Sequence, residues 1–400
     1  MDRRQFLLAA ASAAAALPAL SFSGKLFAMP VNAPRFLLVF LRGGYDCNNL
    51  LVPHGSDFYY ESRPTLAIAR PDPSNLDSAM PLDAQWGLNP VVRDSLYPFW
   101  QRKQLAFVPF AGTSDLSRSH FETQDHIESG QSDEHRSNYR TGFLARLSGS
   151  LPGLPPISVT KSLPMSFQGA GRDIPNISLT RDPKSRFDAR QSAILSSMYQ
   201  GLPLAKATAD GLALPASISA DLRDKMLHAS RGAQSAGGFA SETRRIARLM
   251  RDRYRLGFVD VGGWDTHVNQ GSTKGGLANN LRSLGEGLAA YDDALGDQWN
   301  NTVVVVLSEF GRTFRENGDK GTDHGHGTVH WVLGGKVNGG RIAGEQVAVK
   351  QTSLLQDRDY PVLNNYRDTL GGLYKRMWSL PDSKLQEVFP GAEAKDLQLV

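Results

Sequence analysis

Residues 302–312 read Thr-Val-Val-Val-Val-Leu-Ser-Glu-Phe-Gly-Arg. The continuous apolar run from Val303 to Leu307 is typical of a parallel strand that is buried on both faces of a sheet. Glu309 follows almost at once, and an unpaired carboxylate at the end of a buried strand must either take up a proton or find a cation. The segment therefore predicts a doubly covered sheet with a charged site at the end of this strand.

An amphipathic helix directly precedes this strand. Its apolar residues recur at spacings of three and four, which places them on one helical face; they are Leu277, Leu281, Leu284, Leu288, Tyr291, Leu295 and Trp299. Further strand-like runs cover residues 36–41, 105–110, 157–159, 256–261 and 329–333. Strands that alternate with helices predict an α/β fold with a mainly parallel central sheet.

The amino terminus predicts an export signal. Arg3 and Arg4 precede Phe6-Leu7 and an alanine-rich apolar stretch that runs to about Leu20. This pattern matches the twin-arginine address, although a general secretory signal also begins with positive charge. The stretch is shorter than the ~18 to 20 residues of a membrane span, so no permanent membrane span is expected. We expect residues 1–28 to be a signal peptide read by the twin-arginine export machinery, and the mature protein to be periplasmic or otherwise exported.

Composition limits the remaining possibilities. The single cysteine, Cys47, rules out an internal disulfide. The formal charge of +4 falls to about +2 without the signal, and this balance does not suggest a nucleic-acid partner. Residues 29–400 are expected to form one domain. The stretch from about 151 to 238 is rich in Pro, Gly and Ser, with a helical piece at Arg190 to Tyr199, and is expected to be an inserted cap or a surface excursion.

Carboxylates and imidazoles concentrate in three short segments, which hold three of the nine histidines. They are Gly263-Trp264-Asp265-Thr266-His267, Ser308-Glu309-Phe310-Gly311-Arg312 and Thr322-Asp323-His324-Gly325-His326. Each follows or abuts a predicted strand, and strand ends are where α/β proteins place their sites. Carboxylate oxygen and neutral imidazole nitrogen are ordinary ligands of divalent transition metals. The candidate ligands here are Asp265, His267, Glu309, Asp323 and His324.

Each of these residues also has a simpler interpretation. Asp265 and His267 could form a hydrogen bond at the surface. Glu309 could pair with Arg312; in the functional interpretation Arg312 instead clamps an anionic substrate. No G-x-S-x-G, H-E-x-x-H, P-loop or dinucleotide motif offers a competing function.

Two more segments follow predicted strands. Arg42-Gly43-Gly44-Tyr45-Asp46 leaves the first strand, which makes Asp46 a candidate ligand and Arg42 a candidate anion contact. The alternative for Asp46 is an Asx-turn that caps its own loop. Ser119 and Glu122 match the S-x-x-E capping box at a helix start, which is also a natural anion site. Ser119 is therefore either a cap or a candidate nucleophile.

Together these segments resemble an exported bacterial family known as domain of unknown function fifteen-oh-one. The resemblance spans nearly the whole mature chain and rests on the segments quoted above, with Ser119-His120-Phe121 and Gly321-Thr322-Asp323-His324-Gly325. That family is placed in the alkaline phosphatase and sulfatase superfamily. The resemblance implies a three-layer α/β/α sandwich with a mainly parallel central sheet, an inserted cap region and a paired-metal site.

The resemblance also implies roles for particular residues. Asp46 matches the first-strand metal aspartate, and Ser119 lies in the region of the nucleophile. Asp265 and His267 look like the ligand pair of the second metal. Glu309 stands where an aspartate ends the late strand, and His324 stands where the final histidine lies.

Two departures from the superfamily pattern bear on the metal sites. The spacing is D-x-H where D-x-x-x-H is usual, and Phe310 stands where a histidine usually follows the late-strand carboxylate. One site is then weakened, empty or rebuilt with His120.

The expected function is therefore an exported metal-dependent hydrolase of phosphate or sulfate esters. Ser119 or a bound water would attack a small anionic ester, with His120 as a second catalytic candidate. The expected cofactor is one or two divalent ions, zinc first and manganese or calcium as alternatives. The other possibility is a non-catalytic alkaline-phosphatase-like protein that serves binding or assembly in the cell envelope, which Phe310 favours. In the enzyme, Asp46, Asp265, His267, Glu309 and His324 should surround one cleft.

Overall fold

The computed structural model describes residues 33–132, 134, 138–178 and 228–400. The expected signal peptide, residues 1–28, lies outside this part of the chain. So does the helical piece predicted at Arg190 to Tyr199.

The described residues form twelve strands and eight α-helices. The strands are β1 (Arg35–Leu41), β2 (Leu51–Val52), β3 (Met80–Pro81), β4 (Gly87–Leu88), β5 (Leu105–Gly112), β6 (Pro156–Val159), β7 (Gln234–Ser235), β8 (Leu256–Gly262), β9 (Thr302–Ser308), β10 (Thr328–Leu333), β11 (Arg341–Ile342) and β12 (Asn364–Asn365). The helices are α1 (Asp57–Ser62), α2 (Tyr97–Gln101), α3 (His120–Ser129), α4 (Phe143–Ser150), α5 (Ala236–Asp252), α6 (Gly276–Leu295), α7 (Tyr366–Trp378) and α8 (Asp382–Val388).

One large sheet organises the molecule. Its order is β11-β5-β10-β9-β1-β8-β6, with β12 beside β5 and β7 beside β8. Strand β10 runs antiparallel to both of its neighbours, and the other pairings described within this sheet are parallel. A small antiparallel sheet, β2-β4-β3, lies apart from it. The predicted α/β class with a mainly parallel central sheet is confirmed.

Alternate residues of the central strands enter two separate cores, one on each face of the sheet. Leu37 and Val39 of β1 pack into the core that contains residues of α5 and α6. Phe36 and Leu38 pack into the core that contains residues of α4, α7 and α8. Because both faces are covered, the unbroken valine run of β9 is buried throughout. The architecture is the expected three-layer α/β/α sandwich.

Strand β6 lies inside the stretch, about 151–238, that the sequence marks as an insertion. It pairs in parallel with β8, so this part of the stretch belongs to the main sheet. Helix α6 ends at Leu295, and a 3-10 helix continues the chain as far as Asn301, directly before β9.

The register of the sheet brings three loops together. Leu41 of β1 lies opposite Val261 of β8 and Ser308 of β9, so the three strands end side by side. Antiparallel β10 begins at this same edge, and the loop before it therefore arrives there too. Gly43 has a φ of 122°, and a Cβ there would lie 2.7 Å from the backbone nitrogen of Asp265. The loops after β1 and β8 touch because that position is glycine.

None of the helices in the described ranges is long and apolar enough to cross a membrane.

Candidate metal centre

Three imidazoles and one carboxylate meet at this edge of the sheet. The Nε2 atom of His324 lies 2.9 Å from Nε2 of His120 and 3.1 Å from Nε2 of His267. Asp265 Oδ1 lies 2.9 Å from His267 Nε2 and 3.2 Å from His324 Nε2. Asp265 Oδ2 lies 3.5 Å from His120 Nε2. Ligand atoms of His120, Asp265 and His324 all fall within 4.8 Å of one another.

The other nitrogen of each ring has a fixed acceptor. His120 Nδ1 lies 2.7 Å from Glu309 Oε1, and His267 Nδ1 lies 3.1 Å from Asp323 Oδ1. His324 Nδ1 lies 3.1 Å from the carbonyl oxygen of Arg118. Because these oxygens accept, each neutral ring carries its proton on Nδ1. In the neutral rings the Nε2 lone pairs are left to face the common point, and Arg312 Nη1 lies 3.4 Å from Nε2 of His267.

This arrangement fits a bound divalent cation. Two neutral Nε2 atoms present lone pairs to each other and cannot form a hydrogen bond, whereas a shared proton or a cation between them removes the repulsion. Ligands about 2.0 to 2.1 Å from a tetrahedral zinc ion would lie about 3.3 Å apart. The separations given above, 2.9 to 3.5 Å, bracket that value. His120, Asp265 and His324 form the group whose ligand atoms all lie within 4.8 Å of one another, and His267 lies beside this group through its contacts with Asp265 and His324. A mixed imidazole and carboxylate donor set also suits zinc.

The electrostatics favour positive charge at the same point. Burial would raise the pKa of Asp265, but hydrogen bonds from three histidines and the charge of Arg312 hold it well below its usual range. Burial opposes the charging of His120, yet hydrogen bonds to Asp265 and Glu309 raise its pKa to about 9. Burial lowers the pKa of His324. The cluster therefore stabilises one added cation rather than a charge on every ring.

Glu309 supports His120 instead of facing the centre. Its Oε1 accepts hydrogen bonds from the Gly43 backbone N–H at 2.7 Å and from Gln124 Nε2 at 2.8 Å, besides His120. Its Oε2 accepts from the Ser308 hydroxyl at 2.9 Å. Glu309 therefore lies behind His120 in the buried interior, which corrects the prediction of Glu309 as a direct ligand, and the alternative of an ion pair with Arg312 is not what the structure shows.

Asp323 supports His267 in the same way. Its Oδ1 also accepts a hydrogen bond from Asn317 Nδ2 at 3.2 Å, and its side chain is half exposed. The predicted ligand Asp323 is thus placed behind an imidazole. Such outer partners fix ring orientation and raise ligand basicity.

Asp46 does not reach the cluster. Arg63 contacts both of its oxygens, Nη1 to Oδ2 at 2.5 Å and Nη2 to Oδ1 at 3.0 Å, and both side chains are fully buried. Gln270 Nε2 donates to Oδ2 at 2.6 Å, and the Asn48 N–H donates to Oδ1 at 3.3 Å. The Asx-turn interpretation is what the structure shows. The prediction that Asp46 shares the cleft is wrong, because Arg63 supplies its cation.

Arg42 is buried in an ion network away from the imidazoles. Its Nε donates to Asp260 Oδ2 at 2.7 Å, Nη2 lies 2.8 Å from Glu128 Oε1, and Nη1 donates to Gln124 Oε1 at 2.9 Å. With all three nitrogens engaged, Arg42 is not placed to hold a substrate anion. It instead fixes the amide of Gln124, which then donates to Glu309.

Arg312 joins the loops of the site. Its Nη2 donates to Asp265 Oδ1 at 2.5 Å and to the carbonyls of Gly43 and Trp264 at 3.0 and 3.1 Å. Its Nε and Nη1 donate to the carbonyls of Gly44 and Thr322 at 2.5 and 3.1 Å. The side chain is 0% exposed, so the predicted clamp on a substrate is corrected to a buried tie between loops.

Ser119 occupies the N-cap position of α3, next to the ligand candidate His120. Its hydroxyl caps no backbone N–H of the helix, and Glu122 is exposed, so the predicted capping box does not form. Ser119 lies on the wall of a cleft of about 700 Å³. The cleft is lined by Ser119, His120, Phe121, His228, Ala229, Asp265, His267, Val268, Asn317, Asp319, Asp323 and His324. The predicted cleft exists, with Ser119, Asp265, His267 and His324 on it.

Phe310 forms the wall behind the imidazoles. Its ring centroid lies 4.8 Å from that of His120 and 5.1 Å from that of His324. His120 lies in the cluster, which is in line with the alternative of a site rebuilt with His120.

Three supporting residues were not predicted from the sequence. Gln124 could have been noticed, because it lies four residues after His120 on the same helical face. No feature of the nearby sequence marked Arg63 or the carbonyl of Arg118 as part of the site.

The fold and the site define an α/β/α sandwich with a histidine- and aspartate-lined centre at the edge of its sheet. The chain belongs to the family described as Protein of unknown function (DUF1501), whose model matches residues 33–389. A comparison with curated proteins found no match.

Several solved structures are similar to the chain. The C-terminal periplasmic domain of EcEptC from Escherichia coli, in complex with Zn, is 10% identical with a TM-score of 0.38, over 76% of this chain and 73% of that chain. A protein in the alkaline phosphatase superfamily from Vibrio parahaemolyticus is 8% identical with a TM-score of 0.34, over 76% and 60%. BT1596, a 2-O GAG sulfatase, is 10% identical with a TM-score of 0.39, over 91% and 76%.

Proposed function

We propose that this protein is an exported metal-dependent hydrolase of phosphate or sulfate esters. One observation carries the proposal. The Nε2 atoms of His120, His267 and His324 converge beside the carboxylate of Asp265, and every Nδ1 has an acceptor that fixes the tautomer needed for ligation. This is the arrangement expected of a site prepared for a transition-metal ion.

His120, His324 and Asp265 would hold one divalent cation, with His267 as the candidate fourth ligand through its contacts with Asp265 and His324. Zinc fits the donor set best, and manganese is the next candidate. Asp46, the first-strand candidate for a second ion, is paired with Arg63 instead, so we propose one ion. When bound, the cation stabilises the negative charge that develops on the ester oxygens.

The remaining chemistry falls to the start of α3. Ser119 is the candidate nucleophile, because it lies on the cleft next to His120 and its hydroxyl is not used as a cap. The first turn of α3 leaves backbone N–H groups without helical partners, which gives an anionic ester a place to bind. Arg312 and Glu309 hold Asp265 and His120 in position and need not touch the substrate.

Zinc binding and ester hydrolysis test the proposal together. Mature protein, residues 29–400, is purified, loaded with zinc and assayed with 4-nitrophenyl phosphate and 4-nitrophenyl sulfate. We expect one zinc ion per chain. We also expect the protein to hydrolyse one of the two esters, and a metal chelator should stop this hydrolysis. His324→Ala should lose both the zinc and the activity.

His228→Ala is the matched control for stoichiometry, because His228 lines the same cleft outside the proposed ligand set. It should keep one zinc per chain. If wild-type protein binds no zinc or manganese, the enzyme proposal fails and the envelope binding protein becomes the better account. Bound metal with full activity in His324→Ala would also contradict it.

We further propose export by the twin-arginine route, on the strength of Arg3-Arg4 followed by Phe6-Leu7. Replacing both arginines by lysine keeps the charge and removes the pair that the receptor reads. Fractionation should then find the precursor in the cytoplasm instead of the mature protein in the periplasm. Unchanged export would indicate the general secretory route.

A further inference from the structure

Three consecutive residues, 118–120, contribute to the proposed metal centre in three different ways. The carbonyl of Arg118 accepts from His324 Nδ1 at 3.1 Å. Ser119 lines the cleft, and His120 contributes its imidazole to the cluster. The conformation of this short segment, residues 118–120, therefore sets two imidazoles and the candidate nucleophile together.

The backbone of the segment is unusual at its first residue. Arg118 has a φ of 53°, in the left-handed region that residues with a Cβ seldom adopt. Such a conformation persists only when the surrounding structure holds it in place. Ser119, next along the chain, is extended, with a φ of −95°.

The side chain of Arg118 supplies that hold. Its Nε and Nη2 donate to Asp359 Oδ2 at 2.9 and 2.5 Å, and Nη2 also donates to Gln356 Oε1 at 3.0 Å. The Asp359 side chain is 0% exposed, and such a buried carboxylate needs a cationic partner. Nε of the neighbouring Arg358 is farther from Asp359, at 3.8 Å.

The loop that carries Asp359 also contacts the other side of His324. Leu355 donates its backbone N–H to the Asp359 carbonyl at 2.8 Å, which closes a tight loop. Arg358 Nη2 donates to the backbone carbonyl of His324 at 2.9 Å. The loop, residues 355–359, thus contacts the backbone of His324 directly through Arg358. Through Asp359 it also holds Arg118, whose carbonyl accepts from His324 Nδ1.

We propose that Arg118 and Asp359 form a positioning pair that holds segment 118–120 in its left-handed turn and thereby fixes the ring of His324 for metal binding. The inference rests on the proposed metal centre and adds residues outside the ligand set. Without the pair, the Arg118 backbone relaxes toward negative φ and its carbonyl turns away from Nδ1. Loss of such an outer partner typically weakens metal binding about 10- to 100-fold.

Cobalt provides a probe of both affinity and geometry, because its visible spectrum depends on the coordination of the ion. Wild-type protein and Asp359→Asn are titrated with Co²⁺, and folding is checked by circular dichroism. We expect the variant to bind cobalt about 10- to 100-fold more weakly and with an altered visible band. Asp357→Asn is the matched control, because Asp357 lies in the same loop and forms an exposed ion pair with Arg315. It should bind cobalt as wild type does.

A second pair of variants covers the case in which Asp359→Asn does not fold. Arg118→Gly and Arg118→Ala both remove the anchor and leave Asp359 equally alone, but only glycine tolerates a φ of 53°. Arg118→Ala should therefore bind cobalt more weakly than Arg118→Gly.

The outcomes separate two failures. If wild-type protein binds no cobalt, the proposed metal centre itself is wrong. If wild type binds cobalt while the folded variants match it in affinity and spectrum, the positioning pair is refuted and the metal centre stands.

Discussion

Ser119 shows how one side chain can satisfy a sequence motif without performing its usual task. It stands at the N-cap of α3, three residues before Glu122, yet its hydroxyl contacts no N–H of the helix. Its own backbone N–H donates to the Ser117 hydroxyl at 3.3 Å. The residue before the helix is thus held by Ser117, and the Ser119 hydroxyl is not used as a cap.

Replacing Ser119 by alanine should therefore separate stability from activity. A lost cap costs about 1 kcal/mol, whereas we expect the free energy of unfolding to change by less than about 0.5 kcal/mol. Zinc content should stay at the wild-type level, and turnover should fall roughly a hundredfold or more if serine is the nucleophile. Urea unfolding, metal analysis and ester hydrolysis measure the three quantities.

Ser117→Ala is the control, since it alters the same turn and removes an acceptor of the Ser119 backbone N–H but leaves the Ser119 hydroxyl in place. It should retain turnover within a few-fold. Wild-type turnover in Ser119→Ala would transfer the role of nucleophile to a bound water.

The sequence could place together those candidate residues that lie next to strands. Asp265, His267 and His324 follow or precede strands, and strand ends meet at one edge. Asp46, Arg42 and Arg312 were assigned from type and position in the same manner, but their partners belong to other segments of the chain. Arg63 neutralises Asp46, and Asp260 and Glu128 neutralise Arg42. No spacing rule reveals a buried ion pair between distant segments.

At the level of elements, periodicity was sufficient to find the main strands. The predicted runs at 36–41, 256–261 and 302–307 correspond to β1, β8 and β9 with ends shifted by at most one residue. Alternation with helices predicted a mainly parallel sheet, but the antiparallel direction of β10 was not predictable, because an apolar run is the same for parallel and antiparallel pairing. The antiparallel entry of β10 matters most, since it delivers His324 to the edge where β1, β8 and β9 end.

For the whole molecule, buried histidines outside the metal centre couple stability to pH. His330 of β10 is 4% exposed, and its Nε2 has no hydrogen-bond partner in the described structure. Burial lowers its pKa from 6.5 to about 3. The His330 imidazole is therefore protonated below about pH 6.5 in the unfolded chain, but only below about pH 3 in the folded protein. Stability from this group is complete above pH 6.5 and decreases as the pH falls toward 3.

His330→Leu should remove this dependence. Between pH 7 and pH 5, wild-type protein should lose about 2 kcal/mol more of its free energy of unfolding than the variant, at about 1.4 kcal/mol per pH unit below 6.5. Urea unfolding at the two pH values gives the difference. Contributions from the other histidines are common to both proteins and cancel. Equal losses would mean that His330 is charged in the folded protein or neutral in both states.

The buried tie made by Arg312 also has a consequence for the order of folding. Its guanidinium joins carbonyls of residues 43, 44, 264 and 322, so contacts of 268 and 269 residues in sequence separation must close before the site exists. The pairing of β1 with β9 spans nearly the same separation, so these contacts form only when the central sheet closes this long loop. A nascent chain, or an unfolded chain in transit across a membrane, would therefore lack the complete site. On the proposed export route, which carries folded proteins, the metal could be captured in the cytoplasm, before the protein meets the metals of its destination.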